Sequence, residues 1–122
     1  MIDDRFPGIQ YSPASDWVLS GNSNEQYGTT HGTQASGATF TFNFLQGTSI
    51  QVYGTLAPGN NLPTTYDVDG ESMVFSPPTV SNVQYHQLFY ASPSLALGQH
   101  ILTVMTGTGS GSYWFDYMLY SP

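Results

Sequence analysis

The 122-residue sequence predicts an all-β domain in which two antiparallel sheets pack face to face. Three observations carry this expectation. The stretch ATFTFNF alternates Ala38, Phe40, Phe42 and Phe44 with Thr39, Thr41 and Asn43, the period-two pattern of a half-buried antiparallel strand. Asp69-Gly70 stands between two β-type runs, and both residues tolerate the positive φ of a tight hairpin turn. No apolar i, i+3, i+4, i+7 pattern survives, and β-branched, aromatic and glycine residues dominate.

The elements follow in order. After Phe44, Gly47 and Thr48 read as a turn, and Ile50 and Val52 continue on a partner strand with Gln51 and Tyr53 on its other side, so these two strands are expected to form a hairpin. Tyr66 and Val68 alternate with Asp67 and Asp69 up to Gly70, and Met73 to Phe75 returns as the second arm. Tyr85 to Ala91, His100 to Met105 and Tyr113 to Tyr120 are three more β-type runs, separated by Pro77-Pro78, Pro93, Gly98 and the segment TGTGSGS. Spacing of this kind gives about eight to ten strands in one domain, residues 1–122, with no internal repeat or linker. The last run, inside GSYWFDYMLY, leaves its inward side open. Tyr113, Phe115, Tyr117 and Leu119 share one face and Trp114, Asp116, Met118 and Tyr120 the other, and both are apolar enough to be buried.

Composition narrows the function classes. Charged residues make up 7% of the chain, against about a quarter in ordinary globular proteins, so Ser, Thr, Asn, Gln and Gly do the solvating. There is no lysine and one arginine, Arg5, against eight acidic residues, for a net charge of −7. Binding phosphate backbones or anionic headgroups requires clustered cations, so nucleic acid and membrane surfaces are not expected partners. No apolar segment is long enough for membrane insertion. Cysteine is absent, which removes disulfides, thiol nucleophiles and thiolate metal sites. The lysine-free, hydroxyl-rich, aromatic composition points to an extracellular or cell-surface protein; the start MIDDRFPGIQ has no signal-peptide pattern and no Asn-x-Ser/Thr sequon occurs, which keeps a cytoplasmic location as the alternative.

With the strands placed, the segments DDRFPGIQYSPASDW, GTTHGTQASGATFTF, TSIQVYGTL, YDVDG, QYHQLFYASPSLALGQHILTV and YWFDYMLYSP, in this order over nearly the whole chain, resemble a domain common in basidiomycete fungal proteins. The resemblance implies an ectodomain that follows a signal peptide and often precedes a Ser/Thr/Pro-rich linker and one transmembrane helix. Met1 then sits where the signal would end and Pro122 where the linker would begin. LGQHILTV, the Gly-rich loop and WFDYMLY are also similar, more distantly, to the closing strands of galactose-binding-like jelly rolls, which include many carbohydrate-binding modules. This implies a jelly-roll sandwich and glycan binding, without assigning residues.

Catalytic patterns are weak. Asp67 and Asp69 lie i, i+2 on one strand face, a spacing compatible with glycoside hydrolysis, but a solvated hairpin edge ending in an Asp-Gly turn explains them. His31, His86 and His100 have no short metal-ligand spacing and read as hydrogen-bonded strand or loop residues. No nucleophile elbow and no phosphate loop is present. Arg5 is expected to pair with Asp3, Asp4 or Asp116. No cofactor is expected; the one alternative is a structural calcium held by Asp116 with Asp3 or Asp4, since some carbohydrate-binding jelly rolls use the Asp of a closing DY strand in this way.

What remains is aromatic surface beside amides and hydroxyls. Trp and Tyr offer a flat apolar ring and a polar tip, which suits a partly wet sugar site. Trp17, Tyr27, His31, Asn60, Asn61, Tyr85 and Trp114 fall at strand ends or in loops and are the candidate ligand-binding residues, with the polar segment Ser20 to Gln34 the expected centre. The expectation is therefore a non-enzymatic, lectin-like glycan-binding module that gains avidity as a homo-oligomer. The alternative is a structural or adhesive ectodomain mediating protein–protein contact or self-association.

Overall fold

The computed structural model describes residues 1–21, 23, 25, 28–59, 61–109 and 111–121, with residues 45 and 46 described for their backbone alone. Among the described residues, eleven strands form two antiparallel sheets. The first sheet runs β3 (Val18–Ser20), β4 (Thr30–Thr33), β11 (Tyr113–Ser121), β6 (Ser49–Leu56), β9 (Gln84–Ala91), with β1 (Ile2–Asp3) also on β11. The second runs β2 (Ile9–Ser12), β5 (Thr39–Gly47), β10 (Gly98–Thr106), β7 (Thr64–Val68), β8 (Glu71–Phe75). A 3₁₀ turn lies at Ala14–Asp16, and no described helix is long and apolar enough to cross a membrane.

The β5 alternation holds: Phe40, Phe42 and Phe44 are buried and face β6, β11 and their neighbours across the sandwich. Phe40 stacks on Phe115 with ring centroids 4.5 Å apart. Tyr66 and Tyr113 meet hydroxyl to hydroxyl at 3.1 Å in the interior, and burial pushes both phenols above their usual range, so they stay neutral. The β7–β8 hairpin also holds, with Asp69 at φ 54° and Gly70 at φ 92°.

Two expectations change. The strands on either side of Gly47 are not a hairpin: β5 pairs with β2 and β10, whereas β6 pairs with β11 and β9 in the other sheet. The apolar faces of both strands point into one core, and the chain satisfies both by turning the corner between sheets rather than pairing them side by side. The segment Ser20 to Gln34 is not all loop either, because Thr30–Thr33 forms β4 between β3 and β11.

The closing strand changes phase midway, so both of its alternations contribute to the core. Tyr113 and Phe115 point inward, the register shifts between Phe115 and Tyr117, and Met118 is buried beyond the shift. Asp116 is the extra residue of a β-bulge, pinned by the Asp4 amide, which donates to the Asp116 carbonyl at 3.0 Å. Trp114 and Tyr117 therefore share the outer face although three positions separate them.

Candidate functional site

Trp114 lies across β4. Its cross-strand partner is Gly32, and a β-carbon on Gly32 would fall 1.9 Å from Trp114 Cε3. The indole thus occupies the space a side chain at position 32 would need, which keeps the ring half-exposed on the outer face of the first sheet. On one side it walls a cleft of about 170 Å³ with Ser20, Glu25, Thr30, Thr55 and Tyr85. On the other it borders a hollow formed with Asp16, Val18, Thr33 and Gln34.

The cleft floor is polar and buried. Thr55 stands opposite Trp114 on β6, and its hydroxyl donates to the Glu25 carboxylate at 2.5 Å; both residues are under 10% exposed. A flat ring, a second ring with a phenol hydroxyl, and a carboxylate over two threonines together suit a small hydroxylated ring compound. The rings take its C–H faces and the carboxylate accepts its hydroxyl protons. The volume is below the roughly 300–1,000 Å³ of drug-sized sites, so the cleft itself holds one such ring.

Of the candidate residues, Tyr85 and Trp114 come together in this cleft. Trp17 does not: it is 8% exposed and packs edge-on against Phe40 and Tyr113 in the core. His31 points to the opposite side of β4, where it stacks on Tyr11 at 4.1 Å and bonds Asp4 at 2.8 Å. Asn61 closes a loop by donating to the Ala57 carbonyl and accepting from its amide. Tyr27 and Asn60 lie outside the described residues, as do Asn22, Asn24 and Gln26. Gly32, Thr30 and Thr55 carry no chemical signal in the sequence and enter the site through strand register alone.

The other polar groups have structural partners. Asp67 accepts from the Gly70 amide and the Ser72 hydroxyl, closing the hairpin. Asp69 accepts from the Ile101 amide at 3.0 Å and bonds His100 Nδ1, while His100 Nε2 meets the Ala96 carbonyl at 2.6 Å. Both ring nitrogens of His100 face acceptors, so the imidazolium is the form that satisfies them. Asp69 and then the Ala96 carbonyl raise the His100 pKa, and the same bond lowers that of Asp69.

Asp3, Asp4 and Asp116 converge, with carboxylate oxygens all within 4.8 Å of one another. Asp4 accepts from the Thr29 hydroxyl and from His31. Asp116 is buried with His86 Nδ1 at 3.9 Å. Arg5 Nε reaches Asp3 at 3.6 Å from an exposed position. The Asp3 Oδ1 atom is buried and has no hydrogen-bond partner among the described residues. Desolvation first, and the neighbouring Asp4 second, raise the Asp3 pKa. Crowded carboxylates with an orphaned oxygen fit a hard cation such as calcium, which takes several oxygen ligands.

The fold is a two-sheet antiparallel β-sandwich, an architecture that also occurs in carbohydrate-binding modules. The chain is similar to a family 6 carbohydrate-binding module from Clostridium cellulolyticum in complex with xylose, at 13% identity and TM-score 0.62, over 99% of this chain and 95% of that one. It is also similar to part of an exo-β-1,3-galactanase from Phanerochaete chrysosporium with β-1,3-galactotriose, at 18% identity and TM-score 0.66, over 98% of this chain and 28% of that one. A two-domain esterase active on acetylated mannans, co-crystallized with mannopentaose, matches at 11% identity and TM-score 0.67, over 98% of this chain and 35% of that one. This chain thus spans about a third or less of either enzyme. No protein-family model and no curated protein matches the sequence.

Proposed function

We propose that this chain is a non-enzymatic, lectin-like glycan-binding module. The observation that carries the reading is Trp114, held on the Gly32 backbone as a half-exposed wall beside Tyr85, above a floor of Glu25 and Thr55. Fold neighbours that bear sugars in their structures support it. Glycoside hydrolysis in its usual form requires two carboxylates flanking one bond, and Glu25 is the one carboxylate among the described residues lining the cleft, which supports binding without turnover. A cation on Asp3, Asp4 and Asp116 would tie β1 to β11 and act structurally. One small cleft binds weakly, so several copies displayed together outside the cell would supply useful avidity.

A second reading, adhesion through the sheet, is favoured by exposed Val18 and Leu19 on edge strand β3, at 58% and 55% exposure. A glycan array with wild type, Trp114→Ala and Tyr85→Ala, each verified by thermal melting, separates the two. Saccharide binding that falls about tenfold or more in Trp114→Ala supports the glycan reading. A well-folded wild type that binds no saccharide and self-associates supports adhesion.

A further inference from the structure

The outer face of the first sheet carries a second aromatic group that the cleft does not use. Tyr117 faces outward beyond the Asp116 bulge and stacks on its cross-strand partner Tyr53, with centroids 4.8 Å apart and planes 7° from parallel. The Tyr53 hydroxyl donates to Gln51 at 3.0 Å. His86 completes the group: its ring lies 5.7 Å from that of Tyr117, its side chain is 46% exposed, and its backbone has φ 53°. A non-glycine residue in the left-handed region is strained, and such residues cluster where structure holds a side chain for a ligand. Here the strain coincides with a register shift between β6 and β9, where Gly54 pairs with Gln87 and Leu56 with Gln84. Bulges of this kind re-aim side chains beside binding sites.

This group continues the cleft. Thr55 is paired with Trp114 and Tyr53 with Tyr117 on the same two strands, so the second group begins two residues, about 7 Å, along β6 from the cleft floor. We infer that Tyr117, Tyr53 and His86 form a second subsite contiguous with the cleft, and that the ligand is a neutral oligosaccharide chain several units long rather than a terminal monosaccharide. The inference rests on the glycan-binding reading. The occupant follows from continuity with the cleft and from charge. The chain holds no lysine, and its single arginine is turned to Asp3. No lysine or arginine stands beside this group to hold a sulfate or carboxylate, whereas the phenols and the imidazole can bond the hydroxyls of an uncharged glycan.

Isothermal titration of the 122-residue chain tests this, with galactose and β-1,3-galactotriose, xylose and xylopentaose, and mannose and mannopentaose as probes. In at least one series the longer ligand binds about tenfold more tightly than its monosaccharide, about 1.4 kcal/mol. Tyr117→Ala removes that gain and leaves the monosaccharide affinity unchanged. His86→Gly serves as the second variant, because glycine accepts the positive φ and the fold is retained while the ring is lost; it removes most of the same gain. Equal affinity for short and long ligands, or a gain that survives both variants, overturns the inference while leaving monosaccharide recognition standing. No binding of any probe removes the glycan reading, and this inference with it.

Discussion

Replacing Gly32 with alanine tests the cleft at the one position where a single methyl group decides its shape. The added carbon would lie 1.9 Å from Trp114 Cε3 and 2.0 Å from Cζ3. Carbon–carbon contacts settle near 3.5–4.0 Å, so that edge of the indole must lift by roughly 1.6–2.1 Å. In a closed core such overpacking costs about 1–3 kcal/mol. Trp114 is half-exposed and can swing toward solvent, so the low end applies, and the alanine also removes about 0.4–1 kcal/mol of unfolded-chain freedom. The net stability change stays within about 1 kcal/mol, a Tm shift of no more than about 3–6 °C for a chain of this length. Binding suffers more, because stacking on an aromatic ring, measured for nucleic-acid bases, is worth about 1–3 kcal/mol and depends on ring placement. Affinity should fall about tenfold or more at nearly unchanged Tm. Acrylamide quenching reads the ring directly, since Trp17 is buried and Trp114 is the accessible tryptophan; quenching should rise in Gly32→Ala. Unchanged quenching together with unchanged affinity would refute the placement of Trp114 as the cleft wall.

The His100–Asp69 clamp should make stability depend on pH in a defined direction. His100 is raised above 6.5, so its contribution is fully present below that value and is lost as pH rises through the raised one; Asp69 is lowered below 3.8, so its contribution is present above 3.8 and is lost as pH falls through the lowered one. The Tm difference between wild type and Asp69→Asn should therefore be largest near pH 5 and shrink toward pH 9, and a flat difference in differential scanning fluorimetry would count against it. Calcium at a hundredfold excess over its dissociation constant should stabilise the fold by about 2.7 kcal/mol, with EDTA reversing the effect and Asp116→Asn reducing it. A Tm indifferent to calcium and chelator would leave the three carboxylates without a cation.

Features that depend on local chemistry are legible along the chain. The Phe40, Phe42, Phe44 alternation marks a strand with one buried face because period two leaves no other way to hide three rings. Asp69-Gly70 marks a hairpin because few residue pairs accept φ of 54° and 92° in succession. The partner of each strand was decided by the tertiary structure. A turn at Gly47 serves a hairpin and a corner between sheets equally well, and only the burial of both inward faces selects the corner. Both alternations of the closing strand read as apolar because the bulge at Asp116, fixed by an amide from the other end of the chain, switches which of them faces the core, from Tyr113 and Phe115 before it to Met118 after it. The cleft follows the same division. Trp17 and Trp114 are chemically alike in the sequence, yet one fills the core beside Phe40 and the other stays at the surface, because Gly32, 82 positions away in the chain, stands opposite it without a side chain.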